Sequence, residues 1–283
     1  MKIHLLFPFL ILISTVSFGQ NASQKKVDVN RLNNYLSRLP ASIRVSMVVE
    51  NVTGERYFAF RPDVQVPAAS VIKIPILMEL MEQVKQQKID LNKSYTLTAA
   101  DKTGGSGVIA NMPDGKQFTV RALAQEMIHS SDNTATNILI REVGMQAVNQ
   151  NLIRLGSTKT CLNRIMMDTL AAKQGRENYV NAVEINDLLR KIYNKKVATQ
   201  ALCEDMIDIL KNCADTTTIP RNLPKSIAIA HKTGELAYLR GDAGIVYTKQ
   251  PFILSIFVEG FGDVKQAEEI IGDLAQICWE NLK

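Results

Sequence analysis

Pro67-Ala68-Ala69-Ser70-Val71-Ile72-Lys73-Ile74-Pro75 is the stretch from which the architecture can be worked outward. From Ser70 to about Gln86 the pattern turns helical, with Pro75 in the early turns and Met78, Leu80 and Met81 beyond it. Ser70 and Lys73 stand three apart, so a helix projects both from one face. The start of a helix also presents free backbone N–H groups and a positive end. That setting favours a developing oxyanion.

Upstream of this stretch, residues 30–39 carry apolar positions at helical spacing and stop before Pro40. Residues 44–52 and 56–60 alternate around a Thr53-Gly54 turn, which reads as a hairpin. Downstream comes a loop-rich stretch that includes Gly104-Gly105-Ser106-Gly107 and Pro113-Asp114-Gly115, and then Thr119, placed to cap a helix over 120–129. Further helices are expected over 134–142, 146–155, 182–193 and 200–212. After Pro220 and Pro224 the period returns to strands, at 227–232, 243–248 and 252–259, and a helix over 265–282 closes the chain. This order predicts an α+β fold. N- and C-terminal strands join in one antiparallel sheet flanked by helices, giving an α/β lobe of residues 20–66 and 215–283. A helical lobe of residues 67–214 is inserted, and the cleft between the two is a natural ligand site.

Composition is that of a globular protein, 46% hydrophobic and 22% charged. The formal charge of +5 has only two dense pairs, Lys25-Lys26 and Lys195-Lys196, with no basic stripe or module of the kind nucleic acid requires. Lys2, the apolar run from His4 to Phe18 and the small residues Ser17 and Gly19 read as a secretory signal peptide cut near Gly19-Gln20. The run falls short of the ~20 residues of a membrane span. The mature protein, residues 20–283, is therefore expected in the periplasm or secreted, without stable membrane insertion. Cys161, Cys203, Cys213 and Cys278 fit no metal or disulfide framework, and buried free thiols are expected. With only His4, His129 and His231 in the chain, no metal site suggests itself and no cofactor is expected.

Three short segments carry chemistry: Ser70-Val71-Ile72-Lys73 at a helix start, Ser131-Asp132-Asn133 between two helices, and Lys232-Thr233-Gly234 at a strand end. Each has a plain structural reading. The first is an N-capping serine with a surface lysine, the second a helix cap, the third a lysine at a sheet edge before a turn. As a set in this order they point to a serine nucleophile, which is weak until a base stands beside it. Lys73 can be that base if a second cation lowers its pKa, since like charges disfavour the protonated form.

The set, with its flanks Pro67 to Pro75, Ser131 to Asn137 and His231 to Gly234, resembles the penicilloyl serine transferase superfamily, specifically class A β-lactamases. The likeness spans essentially the whole mature chain and implies the β-lactamase/transpeptidase-like fold and a monomer. By that resemblance Ser70 attacks the lactam or peptide carbonyl and Lys73 accepts its proton. The backbone N–H groups of Ser70 and Glu235 form the oxyanion hole, and Ser131 relays a proton to the leaving nitrogen. Asn133 holds Lys73 and the substrate amide. Lys232 tunes its neighbours and, with Thr233 and Gly234, receives the substrate carboxylate.

Two departures qualify the resemblance. The family's deacylating glutamate falls on Met166 in Leu162-Asn163-Arg164-Ile165-Met166-Met167-Asp168, leaving Asp168 as the nearest carboxylate to position water. The family's carboxylate-binding arginine falls on Ala243 in Arg240-Gly241-Asp242-Ala243-Gly244, with Arg221 as a substitute from another loop. The expected function is a class A type hydrolase that opens β-lactams through an acyl-enzyme at Ser70. The alternatives are a D-alanyl-D-alanine carboxypeptidase (a penicillin-binding protein) acting on peptidoglycan peptides, or a slowly deacylating β-lactam sensor.

Overall fold

The computed structural model describes residues 27–283, so the expected signal segment, residues 1–19, lies outside the described residues. Helix α1 (Val29–Ser37) leads into the hairpin β1 (Arg44–Asn51) and β2 (Arg56–Phe60). The chain then leaves the sheet through β3 (Val66–Pro67) and a 3-10 turn at Ala69–Ile72 that runs into α2 (Lys73–Lys85). The ribbon of β4 (Ser94–Thr96) and β5 (Gln117–Thr119) precedes α3 (Val120–His129), α4 (Asn133–Val143), α5 (Met145–Arg154) and the short α6 (Thr169–Lys173). Strand β6 (Tyr179–Val180), which pairs with β3, comes before α7 (Ala182–Tyr193) and α8 (Gln200–Lys211). The chain re-enters the sheet as β7 (Ile229–Leu236), β8 (Leu239–Val246) and β9 (Phe252–Glu259), and ends in α9 (Val264–Leu282).

The main sheet runs β2-β1-β9-β8-β7, all antiparallel, and the expected union of first and last strands is the β1–β9 pair, with Val45 opposite Val258 and Met47 opposite Ile256. Side chains alternate across a strand, and both faces here are covered. Met47 and Val49 join Ile270 and Leu274 of α9, whereas Val48 between them joins the core that holds Ile185 and Leu189 of α7. That is why all eight residues of β8 are buried. Truncating one of these aliphatic chains to alanine costs about 2–5 kcal/mol.

Strand ends in the site region differ from the sequence expectation. Strand β7 runs to Leu236, so Lys232-Thr233-Gly234 lies inside it rather than at its end, and β8 begins at Leu239, four residues early. The hairpin between them is tight, with Leu236 opposite Leu239. Glycines and charges here hide the apolar alternation because their faces are used by the cleft. Among the described residues no helix is long and apolar enough to cross a membrane.

Candidate active site

Ser70 lies in the 3-10 turn, one residue after Ala69, which has φ of 43°. That left-handed conformation is costly for a residue with a side chain and persists only where the surroundings enforce it. The enforcement comes from both sides. Ala68 N–H donates to the Asn178 carbonyl at 2.7 Å, and strand β7 presses on the turn at Gly234. A Cβ at Gly234 would lie 3.1 Å from Ala69 Cβ and 3.2 Å from the Ala68 carbonyl oxygen. A side chain there would push the strand off the turn by a few tenths of an ångström, and the next residue, Glu235, lines the same cavity as Ser70.

Lys73, on the first turn of α2, is fully buried. Its ammonium donates to Ser131 O at 2.7 Å, Ser131 Oγ at 3.0 Å and Asn133 Oδ1 at 3.1 Å. Burial, and then the charge of Lys232, hold its pKa well below that of a free lysine. Lys232 is buried on β7, where its ammonium donates to Thr233 O at 3.0 Å, and burial lowers its pKa as well. The loop presenting Ser131 is held open by Asp132. Its carboxylate accepts from Val108 N (2.7 Å), Ile109 N (2.8 Å) and Ala135 N (2.8 Å), so the residue both caps α4 and fixes the loop, while Ser131 itself has φ of 56°. Asn133 Nδ2 donates to Gly104 O at 3.0 Å.

Ser70, Ser131, Lys232, Thr233 and Glu235 line one cavity of about 440 Å³. Arg240 lines it too, and this corrects the expectation for a positive residue near Lys232. Ala243 is buried in β8, and Arg221 is an exposed residue paired with Glu269 at 3.4 Å. Arg240 stands opposite Glu235 on β8, its guanidinium donating to Asp215 at 2.6 Å and Thr217 Oγ1 at 2.8 Å. Burial disfavours its charge, but Asp215 more than offsets that. The sequence signal is the Arg240-Gly241 pair, whereas the family pattern pointed to position 243, two residues further on.

A second cavity, also about 440 Å³, opens from Ser70 and Asn133 towards Met166. Asn137 clamps the Met166 backbone, accepting from its N–H at 2.8 Å and donating to its carbonyl at 3.1 Å. The loop is further held by Arg164 against Glu177 at 2.8 Å. Asp168 serves as the cap of α6, accepting from Ala171 N at 2.8 Å, and does not line this cavity. Met166 thus shares this cavity with Ser70, and of the carboxylates in its wall Glu177 is held by Arg164 at 2.8 Å while Glu235 comes from β7.

Between β7 and β8, His231 Nδ1 lies 3.0 Å from the Asp242 carboxylate, which also accepts from Thr218 Oγ1 at 2.6 Å. Burial disfavours the imidazolium, but Asp242 raises the His231 pKa to about 10. His231 thus stabilises the fold in full below the unfolded imidazole range near ~6.5, and that contribution is lost as pH rises towards about 10. Asp242, whose pKa is depressed by His231 against the cost of burial, contributes above the unfolded carboxylate range and loses it in acid. Asp242→Asn, which strands a buried group, is expected to cost about 3–5 kcal/mol near neutrality. Urea midpoints check this: the deficit should be largest near pH 6 and shrink by pH 9, and an equal deficit at both would exclude a charged pair.

The four cysteines are free, with Cys203, Cys213 and Cys278 buried. Among the described residues no cluster of histidine, cysteine and carboxylate residues could hold a metal ion.

Against known proteins, the chain is 25% identical to the β-lactamase VEB-1 of Pseudomonas aeruginosa over 258 residues, 83% of this chain and 84% of that one. It superposes with TM-score 0.84 and 28% identity on a β-lactamase of Sphaerobacter thermophilus DSM 20745, covering 90% of this chain and 97% of that one. The structure of PBP-A shares the fold at TM-score 0.81 and 24% identity, with 90% and 97% covered. Residues 29–282 match the β-lactamase enzyme family, and the chain belongs to that family.

Proposed function

We propose that this protein is a serine hydrolase that opens the β-lactam amide bond through an acyl-enzyme on Ser70. The observation that carries the reading is the fully buried Lys73, 3.0 Å from the Oγ of Ser131, which lines one cleft with Ser70 and Lys232. Burial and a second cation both lower a lysine's pKa and so favour the neutral form that can accept a proton. Lys73 takes the proton of Ser70, and Ser131 passes one to the departing lactam nitrogen. The backbone N–H groups of Ser70 and Glu235 meet the negative charge on the carbonyl oxygen. Lys232, Thr233 and Arg240 form the positive end that receives the substrate carboxylate, and Asn133 and Gly234 border the substrate. The protein acts as a monomer in the periplasm or outside the cell.

Met166 favours a second reading for the later step. With no carboxylate at that position, the acyl-enzyme is long-lived, as suits a peptidase acting on D-alanyl-D-alanine peptides or a sensor. Intact-mass analysis after adding benzylpenicillin separates these. The expected result is one adduct, on Ser70, that decays and reforms over many turnovers. A permanent adduct, with D-alanine released from a peptide substrate, would move the assignment to the peptidase.

A further inference from the structure

Cys213 takes no part in acyl transfer, yet its neighbours set it apart from the other buried thiols. Burial pushes Cys278 up to about 12 and raises Cys203. Cys213 follows the end of α8, where Ala214 N–H donates to His129 O at 3.0 Å and lays the segment along the cleft. The thiol residue is 8% exposed and lines two cavities: the catalytic one with Ser70, Ser131 and Lys232, and another of about 490 Å³ that His231 also lines. Behind it stand His231, 2% exposed, and Asp242, fully buried, 3.0 Å apart. Asp242 is fixed in turn by Thr218 Oγ1 at 2.6 Å and Ile219 N at 3.1 Å. Gly244 belongs to the same arrangement, since a Cβ there would lie 2.5 Å from His231 Cβ. Cys213 and His231 thus share one cavity wall, with Asp242 on the imidazole, and Cys213 and Lys232 share the other. A thiol that merely fills space needs no such backing.

We propose that Cys213, backed by His231 and Asp242, is a second reactive site on the cleft wall, which exchanges with small-molecule disulfides and, once modified, closes the catalytic cavity to substrate. The thiolate attacks one sulfur of the disulfide. A new S–S bond forms on Cys213 as the old one breaks, and the departing thiolate takes up the proton that Cys213 gave up. The sum is thiol plus disulfide giving mixed disulfide plus free thiol, with no other oxidant. Burial opposes the thiolate, but His231 brings Cys213 down to about 7, near the optimum for attack at neutral pH. A peptide-sized group on this sulfur must occupy the space beside Ser70 and Lys232. The closure half rests on the acyl-transfer reading, whereas the reactivity half does not.

The test treats the protein with oxidised glutathione at neutral pH and follows it by intact mass and peptide mapping. Cys213 is expected to acquire one glutathione roughly tenfold or more faster than the more exposed Cys161. The modified fraction should then form no Ser70 adduct with benzylpenicillin until dithiothreitol removes the glutathione. Cys213→Ser should acylate alike with and without the disulfide, and His231→Asn should slow modification about tenfold. Modification of Cys161 ahead of Cys213, read on the unaltered protein and so independent of how any variant folds, would overturn the reactive site. A Cys213 adduct that leaves Ser70 acylation intact would overturn the closure. Failure of the unmodified protein to acylate at all counts against the acyl-transfer reading instead, and the labelling rates stand apart from it.

Discussion

Met166→Glu is expected to shorten the lifetime of the Ser70 acyl-enzyme by about 10²–10⁴-fold, the usual contribution of a general base, with acylation changed little. The geometry favours the transplant. The Met166 backbone is clamped on both sides by Asn137, and its side chain borders the cavity that Ser70 shares. Glutamate nearly matches methionine in reach, so it can hold a water against the ester without the loop moving. Met166 is only 7% exposed, so a carboxylate there is partly desolvated and its pKa rises. A raised pKa suits a base, and the accompanying loss of stability should be about 1–3 kcal/mol. The decay of the benzylpenicillin adduct, followed by mass, measures the effect. Met166→Gln has the same reach and no basicity, and should leave the lifetime unchanged. If glutamate and glutamine behave alike, Met166 is not what limits deacylation.

Ser70→Ala carries the other large effect. Loss of a serine nucleophile costs on the order of 10⁶ in turnover in a well-characterised serine hydrolase, and no penicillin adduct should form here. The outcome is informative because Ser106, Ser130 and Ser131 line the same cavity. An adduct that shifted to one of them would overturn the assignment of the nucleophile. Lys73→Arg tests the base in the same assay. Arginine stays protonated at every accessible pH, so acylation should fall by about 10²–10⁴-fold. As the proposed base Lys73 would act only when neutral, and its pKa is lowered by burial and by Lys232. Acylation should therefore rise with pH through that depressed pKa and level off above it. A rate that falls over the same range would assign the base elsewhere.

Much of this was legible along the chain because the signals are local. Helices α3, α7 and α9 follow from apolar spacing and from caps such as Thr119, whose hydroxyl accepts from Ala122 N at 3.0 Å. Strand β9 needed only its run of apolar residues. The short ribbons β3–β6 and β4–β5 were missed, since two or three residues carry no measurable period and their pairing partners are far away in sequence. The hairpin β7–β8 was read too short because its faces serve the cleft as well as the core. The place of Arg240 in the cavity wall follows from its pairing opposite Glu235 across that hairpin, which spacing alone does not give.

The sequence by itself determined the chemistry on offer: a serine and a lysine three apart at a helix start, a second serine between helices, a second lysine before Thr233-Gly234, and methionine at position 166. Spacing along a helix or strand is enough for that. Only the tertiary structure decided what those groups can do. Lys73, the proposed base, is buried against Ser131 and Asn133 and has its pKa lowered by that burial and by Lys232, and Asp168 becomes a helix cap because its loop turns it towards Ala171. Protonation and reach depend on burial and through-space charge, and those arise from segments that meet only when the first strand pairs with the last.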